Sequence, residues 1–179
     1  MKDILILSFI VLFFSACEKD VIIYDPGQME YGMATAKKNG AKWTASASGG
    51  INSSRNYFIL SMKTYYQNTI DREILGFQHI PIKMGKYKLD PMVFPTSIGD
   101  TIPVSHYWFL IDDGDVVGDS YTLDDSASDN EIEVTYIDTI AGIARGRFKV
   151  TFKVDEPKKE SYLPDCVELS EGSFDVTFM

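Results

Sequence analysis

The polar chemistry of this chain is concentrated in one acidic run, Asp112, Asp113, Asp115, Asp119, Asp124, Asp125, Asp129, Asn130 and Glu131. Ca2+ takes about six to eight oxygens, and loops rich in Asp and Gly supply them. If a cation binds, Asp112, Asp113 and Asp115 are its expected ligands. The run lacks the spacing and the closing Glu of an EF-hand loop. Gly114 and Gly118 among aspartates also make ordinary turns, because Asp bonds its own backbone, so solvated hairpin loops are the first expectation. The histidines, His79 and His106, belong to no nucleophile elbow and no His-Glu-x-x-His, and no paired-cysteine spacing exists. A pair of carboxylates in a barrel mouth could still serve a hydrolase or an isomerase. Aromatic residues are plentiful, with 10 Tyr, 11 Phe and 2 Trp. Tyr65 and Tyr66, beside Gln67-Asn68, and Tyr107 with Trp108 are candidate stacking faces for a carbohydrate. The competing expectation is that they fill a core, as strand aromatics commonly do.

Two cysteines complete the reactive inventory. Cys17 stands directly after Ser15-Ala16, at the end of the apolar stretch Ile4–Phe14, which follows Lys2. A helix needs about 20 apolar residues to cross a bilayer, so this stretch is too short to span and fits the apolar region of a secretory signal. Small residues before a cysteine suit the narrow cleft of a lipoprotein signal peptidase. The segment resembles a bacterial lipobox with Phe14 where Leu is usual. Residues 1–16 are therefore expected to be a signal peptide and Cys17 the lipidated residue. Several acyl chains on one cysteine would anchor the protein stably without a spanning element. Glu18-Lys19-Asp20 resembles the surface-export signal of Bacteroidota lipoproteins. Residues 17–32, containing Asp25-Pro26-Gly27, read as a tether. With Cys17 acylated, Cys166 has no intramolecular partner and is expected to be a small buried hydrophobe.

The elements that must position these residues read as strands. Phe148, Val150, Phe152 and Val154 alternate with Arg147, Lys149, Thr151 and Lys153, so successive side chains face opposite sides of a sheet. Ile132, Val134 and Tyr136 alternate with Glu131, Glu133 and Thr135, and Phe174, Val176 and Phe178 with Ser173, Asp175 and Thr177. Phe58, Leu60 and Met62 show a similar pattern. His106–Ile111 is nearly continuous in apolar character and reads as a buried strand. Asn39-Gly40 is a strong hairpin signal between Ala34–Lys37 and Lys42–Ser48. Ala141-Gly142 and Glu171-Gly172 read as further turns, the latter between Cys166–Leu169 and Ser173–Met179. No stretch of ten residues has helical spacing. The expectation is one all-β domain over 33–179, an antiparallel sandwich or flattened barrel of about ten strands. A transmembrane barrel would show the same alternation, but the lipobox and the polar faces argue against it.

Formal net charge is −9, which repels phosphate backbones, so no nucleic-acid partner is expected. Met33–Trp43, Gly85-Lys86-Tyr87-Lys88-Leu89, Gly146-Arg147-Phe148 and Glu171–Val176 together resemble a family of small lipoproteins of unknown function from Bacteroidota. Its members open with an Asn-Gly-x-x-Trp hairpin and close with a Gly-x-Phe-x-Val strand. The resemblance implies an all-β domain held at the outer membrane, surface-exposed or facing the periplasm, and no particular activity. Three functions follow as expectations: a binding or adhesion module for a glycan, peptide or protein; a carboxylate-based hydrolase or isomerase; and a structural envelope lipoprotein.

Overall fold

The structure is a computed structural model and describes residues 31–67, 69–91 and 102–178. The signal segment, Cys17 and most of the tether lie outside the described residues. Eleven strands run through the described residues: β1 (Gly32–Lys38), β2 (Ala41–Asn52), β3 (Tyr57–Tyr66), β4 (Ile70–Pro81), β5 (Gly85–Lys88), β6 (Asp90–Pro91), β7 (Val104–Ile111), β8 (Val116–Leu123), β9 (Glu131–Asp138), β10 (Ile143–Val154) and β11 (Cys166–Thr177). No helix occurs among the described residues. Eight strands close an antiparallel barrel in the order β11-β1-β2-β3-β4-β7-β8-β10, with β10 returning to β11. The three extra strands are β9 and the short β5 and β6. β9 takes the edge of β10 over Ile143–Lys149 and β8 takes the same edge over Phe152–Val154. Asn130 sits at that handover, donating to the Asp124 carbonyl at 2.7 Å and accepting the Thr151 amide at 2.8 Å. A buried amide side chain there satisfies backbone groups that no strand reaches.

The alternation seen in the sequence fills the barrel. Trp43, Phe58, Leu60, Met62, Leu75, Phe77, Tyr107, Phe148, Val150, Phe152 and Leu169 belong to one buried cluster. The outer wall carries charge ladders instead, such as Lys37–Glu171 at 2.7 Å and Arg145–Asp175 at 2.8 Å. An apolar inside and a charged outside invert the pattern of a barrel embedded in lipid.

Several sequence expectations change at β-bulges. A bulge gives one strand an extra residue, and the face that its side chains occupy switches there. Glu171-Gly172 is such a bulge and not a turn: β11 is continuous, Ala36 faces two residues, and Glu171 has φ 52°. Val167 and Leu169 point inward before it, Phe174 and Val176 after it. A bulge opposite Arg145 and Gly146 likewise turns Tyr136 outward, where its ring meets the Arg145 guanidinium at 5.3 Å. The expected single apolar face of Ile132, Val134 and Tyr136 therefore ends at Val134. At Gln78-His79, where His79 has φ 58°, the inward series Leu75, Phe77 continues at Ile80. β7 is not buried on both faces: Tyr107 is inward, while His106 and Trp108 are half-buried on the outer wall. Cys166 is exposed, contrary to the expectation of a buried thiol, because its neighbour Val167 takes the inward place.

Candidate functional site

Two polar constellations stand out, one inside the barrel and one on its wall. The inner one forms because Glu73 shares the inward face of β4 with Leu75 and Phe77. An unpaired buried carboxylate would be very unfavourable, and three side chains answer it. Lys38 at the end of β1 pairs with Oε1. The Trp43 indole donates to Oε2 at 2.6 Å, and the Thr64 hydroxyl donates to the same atom at 3.3 Å. Lys38 also donates to the Tyr107 hydroxyl at 3.2 Å. Burial, with the Glu73 charge adding to it, holds the Tyr107 phenol well above its ordinary range. Tyr121 stands beside it at 5.3 Å between ring centres. Burial first, then Asp119, Asp165 and Glu73, push its hydroxyl up to about 12. It stays protonated and donates to the Pro164 carbonyl at 2.9 Å.

The segment 155–165 covers this end of the barrel. Asp119 accepts the amides of Lys159 and Glu160 at 2.8 and 3.2 Å, and Leu163 is buried beneath. Glu73 and Asp119 are thus the two buried carboxylates among the described residues, and each is engaged by the protein's own donors. This arrangement fixes the upper end of the barrel. Tyr107 and Asp119 stand out in the sequence only as a stacking candidate and as part of the acidic run, and Glu73 does not stand out there. The usable signal was Glu73 two places before Leu75 and four before Phe77, which puts a charge on an apolar face.

The outer constellation lies on β7 and β8. Trp108 and His106, two residues apart, point outward together with ring centres 4.6 Å apart. Gly76 on β4 makes room for the imidazole, since a Cβ there would fall inside the ring. Burial lowers the His106 pKa to about 4, so it is neutral near pH 7. His106 Nδ1 is buried without a hydrogen-bond partner. Ser120 and Thr122 stand opposite Trp108 and His106 on β8, and Asp155 accepts the Thr122 hydroxyl at 2.6 Å. These groups, with Ser105 and Tyr121, line a cleft of about 200 Å³. An aromatic face beside hydroxyls, a carboxylate and a neutral imidazole can hold a small polar molecule that also has an apolar side.

Of the sequence candidates, Tyr107 belongs to the inner constellation and Trp108 to the outer one, and the rest lie apart from both. Tyr107 and Trp108 face opposite sides of β7, so they form no joint platform, and Tyr107 is buried and offers no stacking face. Tyr65 bonds Ser46 at 3.2 Å, and Tyr66 packs its ring on the Arg72 guanidinium at 5.0 Å. Asp112, Asp113 and Asp115 form the tip of the β7–β8 hairpin, where Asp112 has φ 54° and the Gly114 amide donates to the Ile111 carbonyl at 3.0 Å. Asp113 beside Asp115 raises the pKa of the latter through a shared hydrogen bond and charge repulsion. Among the described residues no group of three His, Cys, Asp or Glu is arranged to hold a metal ion. The Cys166 thiol is raised by partial burial and by Asp124 and Glu168, which disfavours the reactive thiolate. The chain matches no protein-family model, no curated protein and no solved structure.

Proposed function

We propose that this chain is a lipid-anchored protein of the bacterial outer membrane, tethered through Cys17, whose barrel is a binding module for a glycan. The observation that carries the binding reading is the outward pairing of Trp108 with His106 over a cleft that also presents Ser120, Thr122 and Asp155. A sugar ring has apolar C–H faces and a belt of hydroxyls. The negative face of an indole attracts the former, and the side chains around it hydrogen-bond the latter. The cleft has room for a single sugar unit, so the contact is an end group or one residue of a chain. The filled interior supports the same reading, because ligand contact then falls to the wall.

The anchor rests on Ser15-Ala16-Cys17 after the apolar stretch, and surface labelling of intact cells tests it. A membrane-impermeant reagent should label the wild type, and Cys17→Ala should leave the membrane fraction. A wild type that stays in the membrane fraction but is shielded from the reagent would place it inside the envelope and end the surface reading. The glycan reading is tested by titrating sugars against the protein while following tryptophan fluorescence. Saturable quenching that is absent in Trp108→Phe supports it. A signal unchanged by Trp108→Phe and Asp155→Asn would remove this cleft as the site.

A further inference from the structure

The end of the barrel opposite Glu73 is built differently. It gathers the β2–β3 hairpin (residues 53–56), the β4–β5 turn (82–84), the β9–β10 hairpin (139–142) and the end of β11. The Phe178 amide donates to the Gly142 carbonyl at 2.6 Å and the Ile82 amide to the Asn56 carbonyl at 3.3 Å, so the loops are linked. Together they line an open concavity of about 580 Å³ whose apolar members are Ile51, Ile82 and Phe178. Around it two large apolar side chains are left in solvent: Ile140 is 100% exposed and Met84 is 62% exposed. A fully exposed Ile at a hairpin tip gains nothing in the folded monomer. Arg55 and Lys83 stand on the same rim, both exposed and free of ion pairs among the described residues.

The chain also enters the fold here. Gly32 of β1 pairs with Val176, and the Thr177 amide donates to the Tyr31 carbonyl at 2.6 Å. Cys17 lies fourteen residues before Tyr31 in the sequence, which limits its reach to roughly 50 Å even if fully extended. We infer that this rim is a membrane-contact surface, with Ile140 and Met84 entering the headgroup–acyl boundary and Arg55 and Lys83 meeting lipid phosphates. The inference rests on the lipid anchor proposed above. The charge beside Ile140 is the Asp138 carboxylate, which is turned onto the Ile140 and Ala141 amides at 2.9 Å, and apolar tips sharing a rim with cations are the combination that interfacial binding uses. A protein of net charge −9 with two free cations on its anchor-side rim is oriented by an anionic surface. The arrangement directs the β7–β8 cleft sideways, clear of the bilayer.

The test uses the full lipidated protein in mixed phosphatidylethanolamine–phosphatidylglycerol vesicles containing a nitroxide-labelled lipid. In a Cys166→Ser background, a fluorophore is placed at Ile140→Cys and, in a second sample, at Asp113→Cys on the opposite end. Cys17 carries lipid and does not react. Quenching by the nitroxide should be at least about threefold stronger at position 140, and Arg55→Glu with Lys83→Glu should reduce it. Equal quenching at the two positions, in protein that stays with the vesicles, overturns the membrane contact while leaving the anchor intact. A position-140 probe shielded from the nitroxide in a vesicle-bound dimer overturns it in favour of a second copy. Protein that does not stay with the vesicles overturns the anchor and this contact with it.

Discussion

The two tryptophans occupy opposite sides of one wall and show how the same side chain is used for different ends. Trp43 is buried, and its indole N–H is spent on Glu73. Trp108 is half-buried outside, and its ring leans on a neutral histidine. Around Trp43 each polar atom has a partner within the protein, so the region contributes rigidity. Around Trp108 the buried His106 Nδ1 is left without a hydrogen-bond partner, while Ser120 and Thr122 line a cleft. Closed polar networks inside a core specify a structure, whereas side chains that line a cleft on the wall can be reached by a ligand.

The largest expected effect lies on the Trp43 side. Glu73→Leu leaves Lys38, the Trp43 N–H and the Thr64 hydroxyl without their acceptor. Breaking a buried pair from one side costs about 3 kcal/mol or more, measured as a fall in the urea midpoint. Glu73→Leu with Lys38→Met should recover at least about 1 kcal/mol of that loss. No recovery would mean that Trp43 and Thr64, rather than the ion pair, dominate the region.

The next effect belongs to the Trp108 side and depends on pH. His106 has its pKa lowered in the folded state from 6.5 to about 4. Between these values the unfolded chain binds a proton that the folded one does not, so stability falls as pH drops from 6.5 toward 4 and is flat above. The contribution is on the order of 3 kcal/mol. His106→Gln should flatten the stability slope in that window relative to wild type, and an unchanged slope would mean that the imidazole is hydrated in both states. Trp108→Ala should cost only about 1 kcal/mol in the same unfolding assay while abolishing sugar binding, which separates function from stability at this site. The smallest effect is on the charge ladder: Lys37→Ala removes an exposed pair with Glu171 and should shift stability by a few tenths of a kcal/mol.

β10 was legible because its inward residues Phe148, Val150 and Phe152 alternate without interruption. β4 was harder to read, with a charged residue on its inner face, a Gly76 covered by the His106 ring and a switch of face at His79. β11 appeared as two strands since Glu171-Gly172 looks the same in sequence whether it turns a hairpin or bulges a strand. The parity of the flanking apolar residues, odd at Val167 and Leu169 and even at Phe174 and Val176, was the discriminating signal. Trp108 is a candidate from the sequence, but Asp155, which lines the same cleft, is separated from it by the whole of β8, β9 and β10. The Trp43–Glu73 contact likewise joins β2 to β4, reaching across β3, and it depends on the register of both pairings.

The seam between β1 and β11 has a consequence for how the protein is made. β1 pairs on one side with β2, its neighbour in the chain, but on the other with the last of the eleven strands. The barrel therefore cannot shut while the ribosome is still making the final dozen residues of that strand. Closure of a loop of this length is entropically slow. On the export route proposed for this chain, passage through a narrow pore in extended form is helped by such an arrangement. The seam stays open until β11 is available to pair with β1, and the threading can begin before there is anything to unfold.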